Sequence, residues 1–112
     1  MQMLMVILKK VELVDEIMQK LAETGVKGGT IVEGTGMANA LVNMEDMPIF
    51  GMLRHMIVDE KKLVSNLLIF VLKNEQVKIA RNTIKEVLGD LSEPNSGIMF
   101  SIPITDVEGF GE

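Results

Sequence analysis

Cysteine, tryptophan and tyrosine are absent from this chain of 112 residues, and histidine occurs once, as His55. Without cysteine the chain can form no disulfide, no thiolate metal site and no cysteine nucleophile. This composition fits a reducing compartment. The single imidazole also excludes a metal site built on two histidines of one chain. Aromatic residues are limited to four phenylalanines, whereas methionine occurs ten times, so we expect an aliphatic and adaptable core.

Positive charge is scarce as well: 11 lysines and arginines stand against 16 acidic residues, a formal net charge of −5. Nucleic-acid binding needs clustered basic residues, and adjacent basic pairs occur only at 9–10 and 61–62. We therefore expect no nucleic-acid partner. No apolar run approaches the roughly 20 residues of a membrane span. Residues 3–8 are too short for a signal sequence and follow no basic residues. These features predict a cytoplasmic protein without membrane insertion.

The chain does contain a regular succession of apolar runs and amphipathic stripes. Continuous apolar runs at 4–8 and 67–72 predict strands buried on both faces, the first one central in its sheet. Helical spacing of apolar residues predicts one helix over 13–24 and a second over about 77–88. Gly25 and Gly89 follow these stripes and are expected to end the two helices.

The remaining segments complete a repeated β-α-β pattern. Residues 29–34 and 98–104 predict two further strands, 73–75 a turn, and 89–97 a polar loop. We therefore predict one domain over 1–112, of class α+β, with the ferredoxin-like βαββαβ sandwich and an antiparallel sheet. Such a sheet carries its helices on one face, and its other apolar face needs a partner, so we expect an oligomer.

The long connection over 35–59 is the least regular part of the chain. Its apolar spacing allows a short helix over 48–56, or a loop that orders only on binding. Arg54 and His55 are its best candidates for contact with an anion or a partner protein. The Gly34–Thr35–Gly36 run at its base lacks the third glycine of a dinucleotide fingerprint. Its backbone amides could instead form a cradle for a small anionic ligand.

The chain resembles the PII signal-transduction family and its PII-like relatives over nearly its full length. The resemblance lies in residues 21–28 (LAETGVKG), 30–33 (TIVE), 36–37 (GM) and 97–104 (GIMFSIPI). It implies a non-catalytic, nitrogen-regulation-like signalling protein, a compact homotrimer with its sheets facing inward. It also implies three clefts between subunits that bind a small-molecule effector, and a long loop that docks on a target transporter or enzyme.

The resemblance also assigns ligand-binding residues to the clefts. On one side it places Thr30, Gly36, Met37, Ala38 and Asn39. From the other side, Gly97, Ile98 and Met99 would approach through backbone groups.

Several residues depart from the family pattern. Asn39 stands where the family has an arginine, and Ala40 where it has the glutamine that contacts 2-oxoglutarate. The loop over 90–98 lacks the family's phosphate-binding lysines, and the acidic tail over 107–111 replaces its arginines. Each missing charge-assisted hydrogen bond is worth about 1.5–3 kcal/mol. We therefore expect weak binding of ATP and 2-oxoglutarate, and the ligand stays unidentified.

Two alternatives use His55 differently. One is a metal-binding trimer of the similar CutA type, with His55 or the clustered acidic residues as ligands. The other is a small ferredoxin-like enzyme, such as a cofactor-free oxygenase or isomerase, with His55 as its ionisable group. Our first hypothesis assigns no catalytic residue and no metal.

Overall fold

The computed structural model describes residues 1–37, 40, 64–89 and 97–111. Its elements in chain order are β1 (Gln2–Leu8), a 3-10 turn (Val11–Leu13), α1 (Val14–Glu23), β2 (Thr30–Thr35), β3 (Val64–Leu72), α2 (Asn74–Leu88) and β4 (Gly97–Pro103). This is the predicted β-α-β-β-α-β order. The predicted short helix over 48–56 lies outside the described residues, as do most of the long connection over 35–59 and the loop interior at 90–96.

The four strands form one sheet in the order β2-β3-β1-β4, with every neighbouring pair antiparallel. The central position predicted for β1 is confirmed. The predicted α+β class with an antiparallel sheet is confirmed too, and the arrangement is compatible with the ferredoxin-like fold. β3 begins at Val64, three residues earlier than its apolar run indicated.

Helix α1 ends at the glycine predicted for it. Gly25 has a positive φ of 98°, and its N–H donates to the carbonyl of Ala22 at 3.1 Å. The N–H of Val26 donates to the carbonyl of Leu21 at the same distance. These two bonds form a Schellman motif, which satisfies carbonyls that the helix end leaves without intrahelical partners.

The turn predicted over 73–75 is wrong, because Asn74 and Glu75 already belong to α2. The side-chain oxygen of Gln76 accepts a hydrogen bond from the backbone N–H of Lys73 at 3.2 Å. This bond satisfies a donor at the start of the helix, so the helix begins at once after β3. A strand and a helix are therefore joined here by the single residue Lys73.

The core lies between one face of the sheet and the two helices. Thirteen apolar side chains are buried there: Leu4, Val6, Leu8, Val14, Ile17, Leu21, Leu68, Phe70, Leu72, Val77, Ala80, Ile84 and Leu88. The strand members alternate with half-buried residues that point to the opposite face. Burial on both faces is the prediction for the two apolar strands. In the single chain, only the face toward the helices is fully buried.

No helix among the described residues is long and apolar enough to cross a membrane.

Candidate functional site

A cavity of about 620 Å³ lies where β3 extends beyond the start of β2. The pairing of the two strands ends at Thr30 opposite Ile69, so the last three residues of β3 run on without β2 beside them. Gly25, Lys27 and Gly28, which precede β2 in the chain, line one side of this space. We call this space the β2–β3 cavity. Its volume falls within the roughly 300–1,000 Å³ of small-molecule sites.

The lining of the β2–β3 cavity combines apolar walls with a few polar groups. The lining residues are Gly25, Lys27, Gly28, Thr30, Ile69, Val71, Leu72, Lys73, Gln76, Phe110 and Gly111. Both charged residues in this set are lysines, and no carboxylate is among its described members. Thr30 and Gln76 add a hydroxyl and an amide. The cavity therefore suits a ligand that carries an apolar portion and an anionic group.

The C-terminal tail closes one side of the β2–β3 cavity. Phe110 stands 37% exposed at its wall, and Gly109 before it adopts a positive φ of 78°. The N–H of Gly111 donates to the carbonyl of Gly109 at 3.1 Å, so the chain turns tightly at this point. The two glycines of the tail thus position an aromatic ring against the end of β3.

Among the predicted ligand-binding residues that the structure describes, Thr30 alone lines the β2–β3 cavity. Gly36 and Met37 follow the other end of β2, about 20 Å from Thr30 along the strand. Gly97, Ile98 and Met99 lie on β4, opposite residues 6–8 of β1. Because β3 and β1 separate β2 from β4, the two edges of the sheet are about 14 Å apart. One chain alone therefore does not bring the predicted set together.

Met99 contributes to packing within the chain, since its side chain packs against the core. Ile98 instead projects from the opposite face and is 61% exposed. Met37 is more exposed still, at 79%. Ala38, Asn39, Arg54 and His55 lie outside the described residues.

The backbone conformation at position 97 and the close approach of the neighbouring strand require glycine there. Its φ is 144°, and a Cβ built on it would stand 2.6 Å from the carbonyl oxygen of Ile7 in the neighbouring strand. We expect Gly97→Ala to lower the free energy of unfolding by about 1–3 kcal/mol, because backbone strain and overpacking add. Chemical denaturation at fixed protein concentration measures this change.

Gly28→Ala is the matched control, since a Cβ there would meet no atom within 4 Å and the backbone has no positive φ. Equal stability of the Gly97→Ala and Gly28→Ala variants would contradict this explanation. Gly36 has the same open surroundings as Gly28. A loss of ligand binding in Gly36→Ala would therefore report a contact rather than misfolding.

Sequence reasoning missed most of the β2–β3 cavity, including Lys27, Ile69, Val71 and Phe110. Lys27 stands within the glycine-rich run 25–29, and that run was the one available signal. The other three are a pair of strand residues and a tail residue, which only the fold brings together.

The face of the sheet opposite the helices forms a second notable surface, which we call the open sheet face. Strand register places ten apolar side chains on it: Met3, Met5, Ile7, Val32, Leu67, Ile69, Val71, Ile98, Phe100 and Ile102. None of the described strand residues on this face is charged. Val32, Ile98 and Ile102 are 43%, 61% and 41% exposed in the single chain.

The alternative of a metal-binding trimer rests on His55 and on clustered acidic residues. Among the residues that the structure describes, no group of three histidine, aspartate or glutamate side chains could hold a metal ion. His55, together with the acidic pairs at 45–46 and 59–60, lies outside these ranges. Metal binding stays a prediction that calorimetry with divalent cations would test.

The sequence matches no protein-family model, and no curated protein is similar to it at a significant level.

Proposed function

We propose that this chain is a non-catalytic, PII-like regulatory subunit of a homotrimer that binds a small anionic metabolite or nucleotide, in the β2–β3 cavity of each subunit and in clefts between subunits at the opposite end of β2. The observation that carries the proposal is the β2–β3 cavity, whose charged lining residues are lysines and whose walls include Ile69, Val71 and Phe110. Apolar walls accept the flat or aliphatic part of a metabolite, and Lys27 attracts its anionic group. Thr30 and Gln76 supply hydrogen bonds that fix its orientation.

The open sheet face supports the oligomeric part of the proposal. Contiguous apolar patches of this kind mark protein–protein contacts, because solvent-exposed apolar surface is costly. An uncharged face of ten apolar side chains is self-complementary for copies of the same chain. The two helices cover one face of the sheet. Packing the open sheet faces of three copies around a threefold axis would cover the other face.

Trimer formation also gives the separated binding residues a common location. Gly36 and Met37 at the β2 edge and Gly97 at the β4 edge lie at the same end of the sheet. In a ring of three copies, the β2 edge of one subunit would lie near the β4 edge of the next. The predicted cleft residues would then belong to two subunits, which explains their separation in one chain.

The proposed regulatory output uses the connection over 35–59, which leads from the base of the intersubunit cleft at Gly36 toward β3. A ligand in this cleft would contact Gly36 and Met37 and bias the arrangement of the segment, and Arg54 and His55 would contact the target protein. In this proposal His55→Ala leaves ligand binding unchanged, because the residue acts on the target. Loss of a catalytic turnover in that variant would instead favour the enzyme hypothesis.

Thr30→Val and Lys27→Gln test the ligand site directly. Both side chains are exposed in the single chain, so we expect neither substitution to change the melting temperature measurably. Each removes one polar contact to the ligand, and we expect about tenfold weaker binding. Native mass spectrometry of the purified protein identifies co-purifying metabolites. Calorimetry with nucleotides and 2-oxo acids then measures affinity.

Lys20→Gln on α1 is the control, because this lysine does not line the cavity. Equal affinity in wild type, Lys20→Gln and Lys27→Gln would contradict the assignment of the cavity as the ligand site.

A further inference from the structure

A second concave surface lies on the helix side of the sheet, between the outer side of α2 and the strand edge at β4. It is a groove of about 400 Å³, which we call the α2 groove. Its lining residues are Gln2, Asn74, Val77, Lys78, Arg81, Asn82, Lys85 and Ser101. None of them lines the β2–β3 cavity, so the two sites are separate.

The α2 groove concentrates positive charge in a chain whose formal net charge is −5. Lys78, Arg81 and Lys85 follow one another at i, i+3 and i+7, which places them along one side of α2. At a rise of 1.5 Å per residue, they span about 10 Å along the helix axis. No aspartate or glutamate is among the described lining residues. Glu75 and Glu86 of the same helix occupy its adjoining, outward side.

Neutral hydrogen-bonding groups complete the lining. The Asn74 side-chain oxygen accepts hydrogen bonds from the Gln2 amide at 3.3 Å and from the Met1 amino group at 3.1 Å. This fixes the Asn74 side chain at one end of the groove and leaves its NH₂ group as a donor. Asn82 and Ser101 add further donors along the groove. The groove therefore offers three cations and several neutral donors. This set suits phosphate groups, because their oxygens accept several hydrogen bonds at once.

We propose that the α2 groove binds a small molecule that carries two or more phosphate groups. Arg81 would bind one phosphate through its planar fork of donors, and Lys78 and Lys85 would act as point charges on either side. The groove volume of about 400 Å³ falls within the roughly 300–1,000 Å³ of small-molecule sites, which favours a small molecule over an acidic protein surface. This inference is independent of the ligand proposed for the β2–β3 cavity.

Inorganic triphosphate is the probe for this site, with calorimetry on the full chain. We expect saturable binding of one triphosphate per chain that weakens as salt is raised, because the contacts are ionic. Arg81→Gln, Lys78→Gln and Lys85→Gln should each weaken binding by about fivefold to tenfold, and the triple variant should abolish it. Arg81→Lys should retain part of the affinity, since it keeps the charge and loses the fork.

Lys20→Gln is the matched control, because it removes the same charge outside both the α2 groove and the β2–β3 cavity. Unchanged triphosphate affinity in this control supports the proposal. The proposal is overturned by unchanged affinity in the triple variant or by equal weakening in Lys20→Gln. It is also overturned if wild type shows no binding at millimolar triphosphate, or if a polyglutamate peptide binds this groove more tightly than triphosphate. Melting temperatures close to that of wild type show that the variants fold.

Discussion

Ile98→Lys is expected to dissociate the proposed trimer, whereas Ile79→Lys is expected to leave it intact. In the single chain the two isoleucines are similarly exposed, at 61% and 53%. Ile98 belongs to the open sheet face, and Ile79 lies on α2 away from it. If copies of the chain cover the open sheet face, only the Ile98→Lys substitution places a buried, unpaired charge in the interface. Leaving such a charge buried costs about 3–5 kcal/mol, which corresponds to a roughly 100- to 4,000-fold weaker interface.

Sedimentation or light scattering over a range of protein concentrations measures this dissociation. At micromolar concentration Ile98→Lys should sediment as a smaller species than wild type, and Ile79→Lys should match wild type. The same oligomeric state in all three proteins would show that the open sheet face is not the interface.

Phe70→Ala is expected to cause the largest loss of stability among single core substitutions, about 3–5 kcal/mol. The Phe70 side chain is 1% exposed and is one of the largest fully buried side chains of the core. Gly29, just before β2, lies so close to this ring that a Cβ there would overlap it. The ring is therefore enclosed by the helices and by the backbone leading into β2. Truncation leaves a cavity that such close packing cannot fill.

Phe110→Ala provides the matched control, because this ring is 37% exposed in the tail. We expect it to change the free energy of unfolding by less than about 1 kcal/mol and to weaken ligand binding by removing one wall of the β2–β3 cavity. Denaturant titrations at one fixed protein concentration compare the two variants, since assembly contributes to apparent stability. Similar destabilisation by both substitutions would contradict this picture of the core.

Periodicity alone was sufficient to predict most of the fold. The stripe Val14, Ile17 and Leu21 gave α1 because burial of one helix face repeats every three to four residues. Gly25 and Gly89 marked the helix ends, and both have positive φ values in the structure. The central position of β1 followed from its uninterrupted apolar run. These features depend on short stretches of chain, which is why the sequence reveals them.

Residue composition gave a wrong prediction at the start of α2, where one capping hydrogen bond decides between a turn and a helix. Lys73, Asn74 and Glu75 have the composition of a turn, but the cap from Gln76 starts α2 within that stretch. Similarly, the polar residues Ser65 and Asn66 hid the beginning of β3, where pairing with β2, joined by β1 from Asn66 onward, maintains the strand. Cross-strand pairing of this kind is set by the fold and leaves little trace in the local pattern.

The candidate sites were harder to predict than the fold. Thr30 was found by resemblance, but the β2–β3 cavity also needs the end of β3 and a tail residue 80 positions further along the chain. Gly97 was predicted to contact the ligand through its backbone, which stays a prediction, and the structure adds a packing reason for glycine at this position, the close approach of the Ile7 carbonyl. The α2 groove was not predicted, because its three cations are spread over eight residues of an acidic protein.

The mass of the native protein tests the central claim most directly. Native mass spectrometry at micromolar concentration should give an assembly of three 12.4 kDa chains, about 37 kDa, together with any small molecule that it retains. A particle of 12.4 kDa under the same conditions would mean that the open sheet face is not covered by other copies of the chain. The proposed intersubunit clefts would then not exist.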